Sequence, residues 1–263
     1  LPHDGLLEID FLNQIMAEFM QPQTCVTGYN NLNFDDEFIR QALYRNLFEP
    51  YAREWQGGNS RWDVINLMRM AHALRPEGFS WPKKADGTTS FKLEHLAAAN
   101  EINHDHAHDA LSDVYATIGV TKKLRQVQPK LCEFFFKLRL KPFVLDQLYP
   151  LKKQMLIHIA TFYPASRAHI GVLLPVAAHP VNRNSIICVD LLGEPEALLG
   201  LTSEQLKQRL FAVKDEHDHS IRPALQTLQI NRCPAIAPIA TLPAAKADSL
   251  GIDLALCAER QKI

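Results

Sequence analysis

Between His104 and Asp113 the chain sets three histidines and three aspartates within ten residues (HDHAHDALSD), directly ahead of a helix-forming run. Imidazoles and carboxylates are the groups that move protons near neutral pH and bind divalent cations. A helix turns about 100° per residue, so a five-residue step lands about 140° from its starting face. His108 and Asp113 therefore converge only if His108 sits in the loop before the helix and Asp113 one turn inside it. That arrangement puts a movable imidazole beside a fixed carboxylate, a general base next to a metal ligand. The plainer alternative has Asp109 capping the helix and the histidines forming a polar loop. Alternating His104, His106 and His108 would also suit zinc on a strand, but the flanking helices leave little room for one. A phosphohydrolase of the His-Asp metal type would need upstream histidines, and His72 and His95 fit that spacing poorly.

A second constellation lies upstream. In Gly28–Asp35 (GYNNLNFD) an apolar run ends in a small polar turn, and a helix opens on Asp35. A carboxylate there faces the positive end of the helix dipole. It can cap the helix, which is the common outcome, or face a metal from a strand–helix junction.

The elements that must position these groups follow from periodicity. Residues 6–20 place Leu7, Phe11, Ile15 and Phe19 on one stripe, predicting a helix with that face buried. Residues 24–29 predict a strand, and 34–48 a helix carrying Phe38, Ala42 and Leu43. Residues 61–74, 90–100 and 110–126 read as further helices, the last with Val114, Ile118 and Leu124 inward. Residues 130–148 predict another helix, interrupted at Pro142. Beyond residue 150 the pattern turns to strands over 154–163, 170–177, 185–192 and 223–238, split by turns such as HPVNRN. Within that part Thr202 and Gln205 open one helix with a capping box.

The 263 residues are 47% hydrophobic and 22% charged with net charge −1, ordinary globular material with no global field toward a polyanion. Locally, residues 118–141 carry Lys122, Lys123, Arg125, Lys130, Lys137, Arg139 and Lys141 against a single acid, Glu133. That is either a solvated face or a stripe for a polyanion. The five cysteines are dispersed without a C-x-x-C pair, which predicts reduced core thiols in a cytoplasmic protein. No apolar run has the length of a membrane span.

Asn-x-x-Phe-Asp, some seventy residues of helices, then His-x-Ala-x-x-Asp resembles the second and third motifs of the DEDDh 3′→5′ exonucleases. The likeness is closer to one family within them. GYNNLNFDDEFIRQALYRNLFEPYAREWQGGNSRWD, ALRPEG, SFKLEHLAAAN, AHDALSDVYATI, AAHPVNRNSIICVDL and INRCPA follow the order and spacing of the bacterial exodeoxyribonuclease I family. The resemblance covers nearly the whole chain. It implies an α/β, ribonuclease-H-like exonuclease domain over 1–127. A basic helical bridge and a β-rich SH3-like domain would follow over 128–263.

Carried over residue by residue, the resemblance implies Asp35 and Asp113 as metal-site carboxylates, His108 as general base, and Arg40 as a residue that matters for activity. Phe91 and Lys92 match an aromatic–arginine pair at the substrate site. Lysine there keeps the charge but loses the bidentate fork for phosphate. Trp55, Arg69, Lys141 and Asn184 match contacts to single-stranded DNA. On residue grounds alone, Trp55 in a polar Gln-Gly-Gly-Asn loop is expected to be exposed for stacking, and Trp62 to be core.

What the resemblance implies is a monomeric enzyme of DNA repair that degrades single-stranded DNA from its 3′ end to 5′-mononucleotides. It would use two Mg²⁺ ions, with Mn²⁺ as a substitute, and single-strand-binding protein is an implied partner. One departure stands out: the family's opening strand carries Asp-x-Glu, and the thirty-four residues before Asp35 hold no such strand. The chain is therefore expected to be an internal piece of such an enzyme, without that motif and the C-terminal helices, and inactive by itself. Two alternatives remain: a ribonuclease of the same superfamily trimming RNA 3′ ends, and a non-catalytic module that binds single strands or recruits partners.

Overall fold

The computed structural model describes residues 5–102, 110–211 and 224–262. The chain divides into two compact units, Leu1–Met68 with Pro76–Leu140, and Arg69–Arg75 with Lys141–Ile263. Both are mixed helix and sheet.

The first unit opens with helix α1 (Glu8–Phe19), strand β1 (Cys25–Gly28), helix α2 (Asp35–Arg45) and strand β2 (Ser60–Asp63). β1 and β2 pair in parallel, Cys25 with Ser60 through Gly28 with Asp63. The strand expected at 24–29 is thus present. The helix expected from residue 61 begins later: Ser60–Asp63 is a wholly buried strand, and helix α3 (Val64–Leu74) follows it directly. Its charged letters hide the strand because they are paired inside rather than turned to water. α1 also differs from expectation, burying Leu12 while Leu7 and Phe11 are exposed. On α2, Leu43 is buried and Phe38 is exposed.

Helices α4 (Leu93–Ala99), α5 (Ala110–Val127) and α6 (Pro129–Lys137) complete this unit. α5 buries Ala116, Val120 and Leu124, whereas Val114 and Ile118, expected inward, are exposed. Gly119 is where α5 runs against the segment after α4. A Cβ on it would come within 2.5 Å of Ile102 Cγ2, so any other residue would force that side chain to shift. The basic segment is two helices rather than one interrupted helix: α6 ends at Lys137, and Pro142 lies in the first turn of α7 (Lys141–Leu148), where a missing N–H costs nothing. Trp62 is core as expected, 7% exposed, with its ring against Phe135 and Phe136 at centroid distances of 5.8 and 5.5 Å.

The second unit contains α7 and a five-stranded antiparallel sheet of order β6-β5-β4-β3-β7. The strands are β3 (Leu156–Ile159), β4 (Ile170–Ala178), β5 (Ser185–Asp190), β6 (Leu225–Gln229) and β7 (Ile236–Pro238). Helix α8 (Ser203–Phe211) lies between β5 and β6 in sequence, and α9 (Ala244–Ser249) and α10 (Leu254–Arg260) follow β7. The capping box ahead of α8 forms as expected: Thr202 N–H donates to Gln205 Oε1 at 2.9 Å and Gln205 N–H to Thr202 Oγ1 at 3.2 Å. All five cysteines are free thiols and four of them are buried. No described helix is long and apolar enough to cross a membrane.

Candidate active site

The parallel strand pair ends where the candidate chemistry begins. Asp63, the last residue of β2 and the register partner of Gly28, is fully buried. Its Oδ1 accepts the backbone N–H of Asn30 at 2.8 Å and of Ile65 at 3.1 Å; its Oδ2 accepts that of Leu32 at 3.3 Å. One carboxylate therefore fastens the turn after β1 and the start of α3 together. The turn then hands its chain to α2: Asn31 C=O accepts from Phe34 N–H at 3.3 Å and Asp36 N–H at 2.9 Å.

Asp35 is the first residue of α2 and is exposed. It is not the cap of that helix: Phe34 takes that place, and no side chain caps there. Asp36 is its opposite, 1% exposed, held by Arg53 Nη2 at 2.8 Å and Arg61 Nη1 at 2.9 Å. Arg61 Nη2 also meets Glu54 Oε2 at 3.0 Å. Arg40 donates from Nε to Glu54 Oε1 at 2.6 Å and from Nη1 to Glu37, with its guanidinium 5.4 Å from the Tyr51 ring centre. Burial works against the Arg40 charge, but the bonds to Glu54 and Glu37 outweigh it and hold its pKa above the usual range. Arg61 goes the other way, lowered by burial that Glu54 and Asp36 only partly offset. Tyr51, Arg53, Trp55, Arg61 and Trp62, aromatics interleaved with cations, read as suited to base stacking and phosphate contact. Arg53 and Arg61 are buried on Asp36 instead. Sequence reasoning gave no role to Asp36, Glu54 or Asp63, most of whose partners lie too far away in the chain for any spacing to show.

Asp113 occupies the first turn of α5 and is half-buried, with its carbonyl accepting from Thr117 Oγ1 at 2.8 Å. His108 lies outside the described residues. Phe91 is half-buried, its ring 6.3 Å from that of Trp81, and its carbonyl accepts from the Tyr29 hydroxyl. That bond ties the segment before α4 to the turn after β1. Lys92 is exposed beside Glu94 at 3.5 Å. Trp55 is 67% exposed, as its loop predicts.

In the second unit Arg69 is half-buried on α3, and Lys141 and Asn184 are brought together by a 2.8 Å bond from Nζ to Oδ1. Among the described residues no group of three or more histidine, cysteine or acidic side chains gathers as a metal site. Asp35 and Asp113 are nonetheless hard oxygen donors that water can reach, the ligand type that Mg²⁺ and Mn²⁺ take.

A parallel strand pair handing an acid to a helix is joined in one chain to a small antiparallel sheet, and the two parts match an exonuclease domain followed by an SH3-like domain. Residues 8–121 match the exonuclease family and residues 139–263 the exonuclease I SH3-like domain. The chain is a homologue of exodeoxyribonuclease I. It is 42% identical to that protein from Escherichia coli (strain K12) over 98% of its own length, and 43% identical to the one from Haemophilus influenzae over 96%. It spans about half of those relatives, 54% of each. E. coli exonuclease I in complex with a dA16 oligonucleotide superposes with a TM-score of 0.91 at 41% identity, covering 98% of this chain and 55% of that one. An ExoI/SSB-Ct complex and a zinc-ion-bound E. coli ExoI–ssDNA complex each give 0.90, at 42% and 41% identity and the same coverage.

Proposed function

We propose that the protein carrying this chain is a 3′→5′ exonuclease that removes 5′-mononucleotides from single-stranded DNA. The supporting observation is the match to exodeoxyribonuclease I along 98% of the chain, with an oligonucleotide-bound relative of the same fold. In this reading residues 1–127 form the nuclease domain, and residues 128–263 the basic bridge and SH3-like domain. Asp35 and Asp113 hold divalent ions, Mg²⁺ with Mn²⁺ as substitute. Bound at these carboxylates, the ions would supply Lewis acidity and charge neutralisation at the scissile phosphate. His108 takes the proton of the attacking water. Arg40, with two nitrogens already committed to Glu54 and Glu37, acts from within α2 rather than as a free phosphate clamp. Phe91 and Lys92 bind the 3′-terminal nucleotide, and Trp55, Arg69, Lys141 and Asn184 contact the strand further back. We place the protein in the cytoplasm, as a monomer, in DNA repair, with single-strand-binding protein as a partner.

The test is turnover on matched 3′-labelled DNA and RNA single strands with Mg²⁺, in the intact protein and its His108→Ala and Asp35→Asn variants. Preferential DNA cleavage, abolished by either change with binding retained, is expected. Equal or better cleavage of RNA would favour a ribonuclease, and binding without any cleavage a recruiting module.

A further inference from the structure

We propose that Asp36, through the ion network it anchors, is a positioning residue that fixes Asp35 at the mouth of the site. The inference rests on the reading of Asp35 as a metal ligand. The network joins three carboxylates, Asp36, Glu37 and Glu54, to three guanidiniums, Arg40, Arg53 and Arg61. It leaves α2 at Asp36, crosses to β2 through Arg61 and to the short 3-10 turn Ala52–Glu54 through Glu54, and returns to α2 at Arg40 and Glu37. The first two turns of one helix are thus gripped at both ends of a closed circuit.

Three features point to placement rather than bulk stability. α2 has no side-chain cap, so Asp36 and the Asn31 carbonyl are what tether its start. Neighbouring helical residues point about 100° apart, so a carboxylate held inward at 36 sets the direction of the exposed one at 35. The network is also an expensive way to fill space. Arg53 is fully buried, and among the described residues its Nε and Nη1 have no hydrogen-bond partner. Apolar side chains of similar volume commonly stabilise a fold as well as or better than buried ion pairs. What they lack is direction: two guanidiniums on separate oxygens of Asp36 permit no sliding of the helix.

The experiment measures Mn²⁺ affinity of the intact protein by electron paramagnetic resonance, beside kcat, KM and the Mg²⁺ concentration for half-maximal rate. The variants are Asp36→Asn, Asp36→Glu and Glu54→Gln, with Asp35→Asn as reference. Partners of metal ligands typically contribute 10–100-fold to metal affinity or activity. Asp36→Asn should weaken Mn²⁺ binding by about tenfold or more, raise the Mg²⁺ midpoint in step, and leave KM for the DNA strand in place. Asp36→Glu should recover part of the loss. If Asp36→Asn does not fold, Glu54→Gln, which loosens Arg61 and Arg40 but spares both Asp36 bonds, is read in the same way. A lowered melting temperature with unchanged metal affinity and midpoint would make the network purely structural and overturn the proposal. Unchanged metal affinity in Asp35→Asn would instead overturn the reading of Asp35 itself.

Discussion

Lys141 and Asn184 lie forty-three positions apart in sequence and meet through a 2.8 Å hydrogen bond, Nζ to Oδ1. The family resemblance implies each of them, separately, as a contact to single-stranded DNA. Their pairing makes Asn184 the side chain that aims the ammonium. Lys141→Ala should weaken single-strand binding and make the slope of log K against log salt shallower by about 0.7, the share of one phosphate on a single strand. Asn184→Ala should do less, and almost nothing further in the Lys141→Ala background. Additive losses in that double-mutant cycle, measured by fluorescence anisotropy across a salt series, would separate the two roles.

Trp55 offers a cleaner test, because an indole 67% exposed contributes little to the core. Trp55→Ala should cost on the order of 1–3 kcal/mol of single-strand affinity if a base stacks there. The melting temperature should stay within a degree or two. A large fall in melting temperature with unchanged affinity would move Trp55 from the strand to the fold.

Asp63 makes a sharper prediction about the turn. An amide at this position offers one acceptor oxygen and two donor hydrogens to three inward-pointing N–H groups. Asp63→Asn should therefore lose about 1–3 kcal/mol through donors left unsatisfied in a buried setting. Amide exchange at Asn30, Leu32 and Ile65 should accelerate ahead of the rest of the unit. Retained protection at all three would show that backbone pairing alone holds the junction.

The SH3-like unit should carry its own acid sensitivity. The Tyr163 hydroxyl donates its one hydrogen to Gln226 Oε1 at 2.9 Å, so His158 Nδ1, 3.1 Å from the same oxygen, donates to it. Burial lowers the His158 pKa from 6.5 to about 4. Its unfolded form binds the extra proton first, so this group's contribution is intact above pH 6.5 and is lost as pH falls toward 4. The full loss amounts to at most about 3 kcal/mol. Asp190, raised by burial, works in the opposite direction, since its folded form binds the proton more readily as pH falls. Melting temperatures of the wild type and His158→Gln between pH 7 and 4 decide the point. The variant should lose much of the wild type's decline over that span, and parallel curves would remove His158 as the cause.

Gly171 predicts a packing failure in the same unit. A Cβ there would lie 2.1 Å from Tyr163 Cζ. Gly171→Ala must therefore displace the ring and break its bonds to His158 and Gln226, for a loss of about 2–4 kcal/mol. A melting temperature unchanged by calorimetry would mean that the sheet yields there at no cost.

Legibility of the sequence followed the strength of local signals. Short apolar runs bounded by turn residues announced β3, β4 and β5, and Thr202 with Gln205 announced the start of α8, because each rests on neighbours in sequence. β2 was invisible for a physical reason: Arg61 and Asp63 are polar by letter and buried in fact, each with partners tens of residues away. The inward face of α5 was read correctly at Leu124 and misplaced in the first turns, where small residues rather than Val114 and Ile118 lie on the packed side. Those residues are Ala116 and Gly119. The positions of Asp35 at the start of α2 and Asp113 in the first turn of α5, and the exposure of Trp55, were legible from local pattern. The network holding Asp36 was not, since no spacing rule joins residues 36, 40, 53, 54 and 61.

The phenol of Tyr29 reaches the Phe91 carbonyl from sixty-two residues away. Its consequence is thermodynamic coupling. Whatever shifts the Phe91–Lys92 segment also shifts the free energy of the turn that leads to Asp35, and the reverse holds by the same amount. Occupancy at one end then becomes readable at the other as a change in the Tyr29 ring resonances, without either group touching the other's ligand.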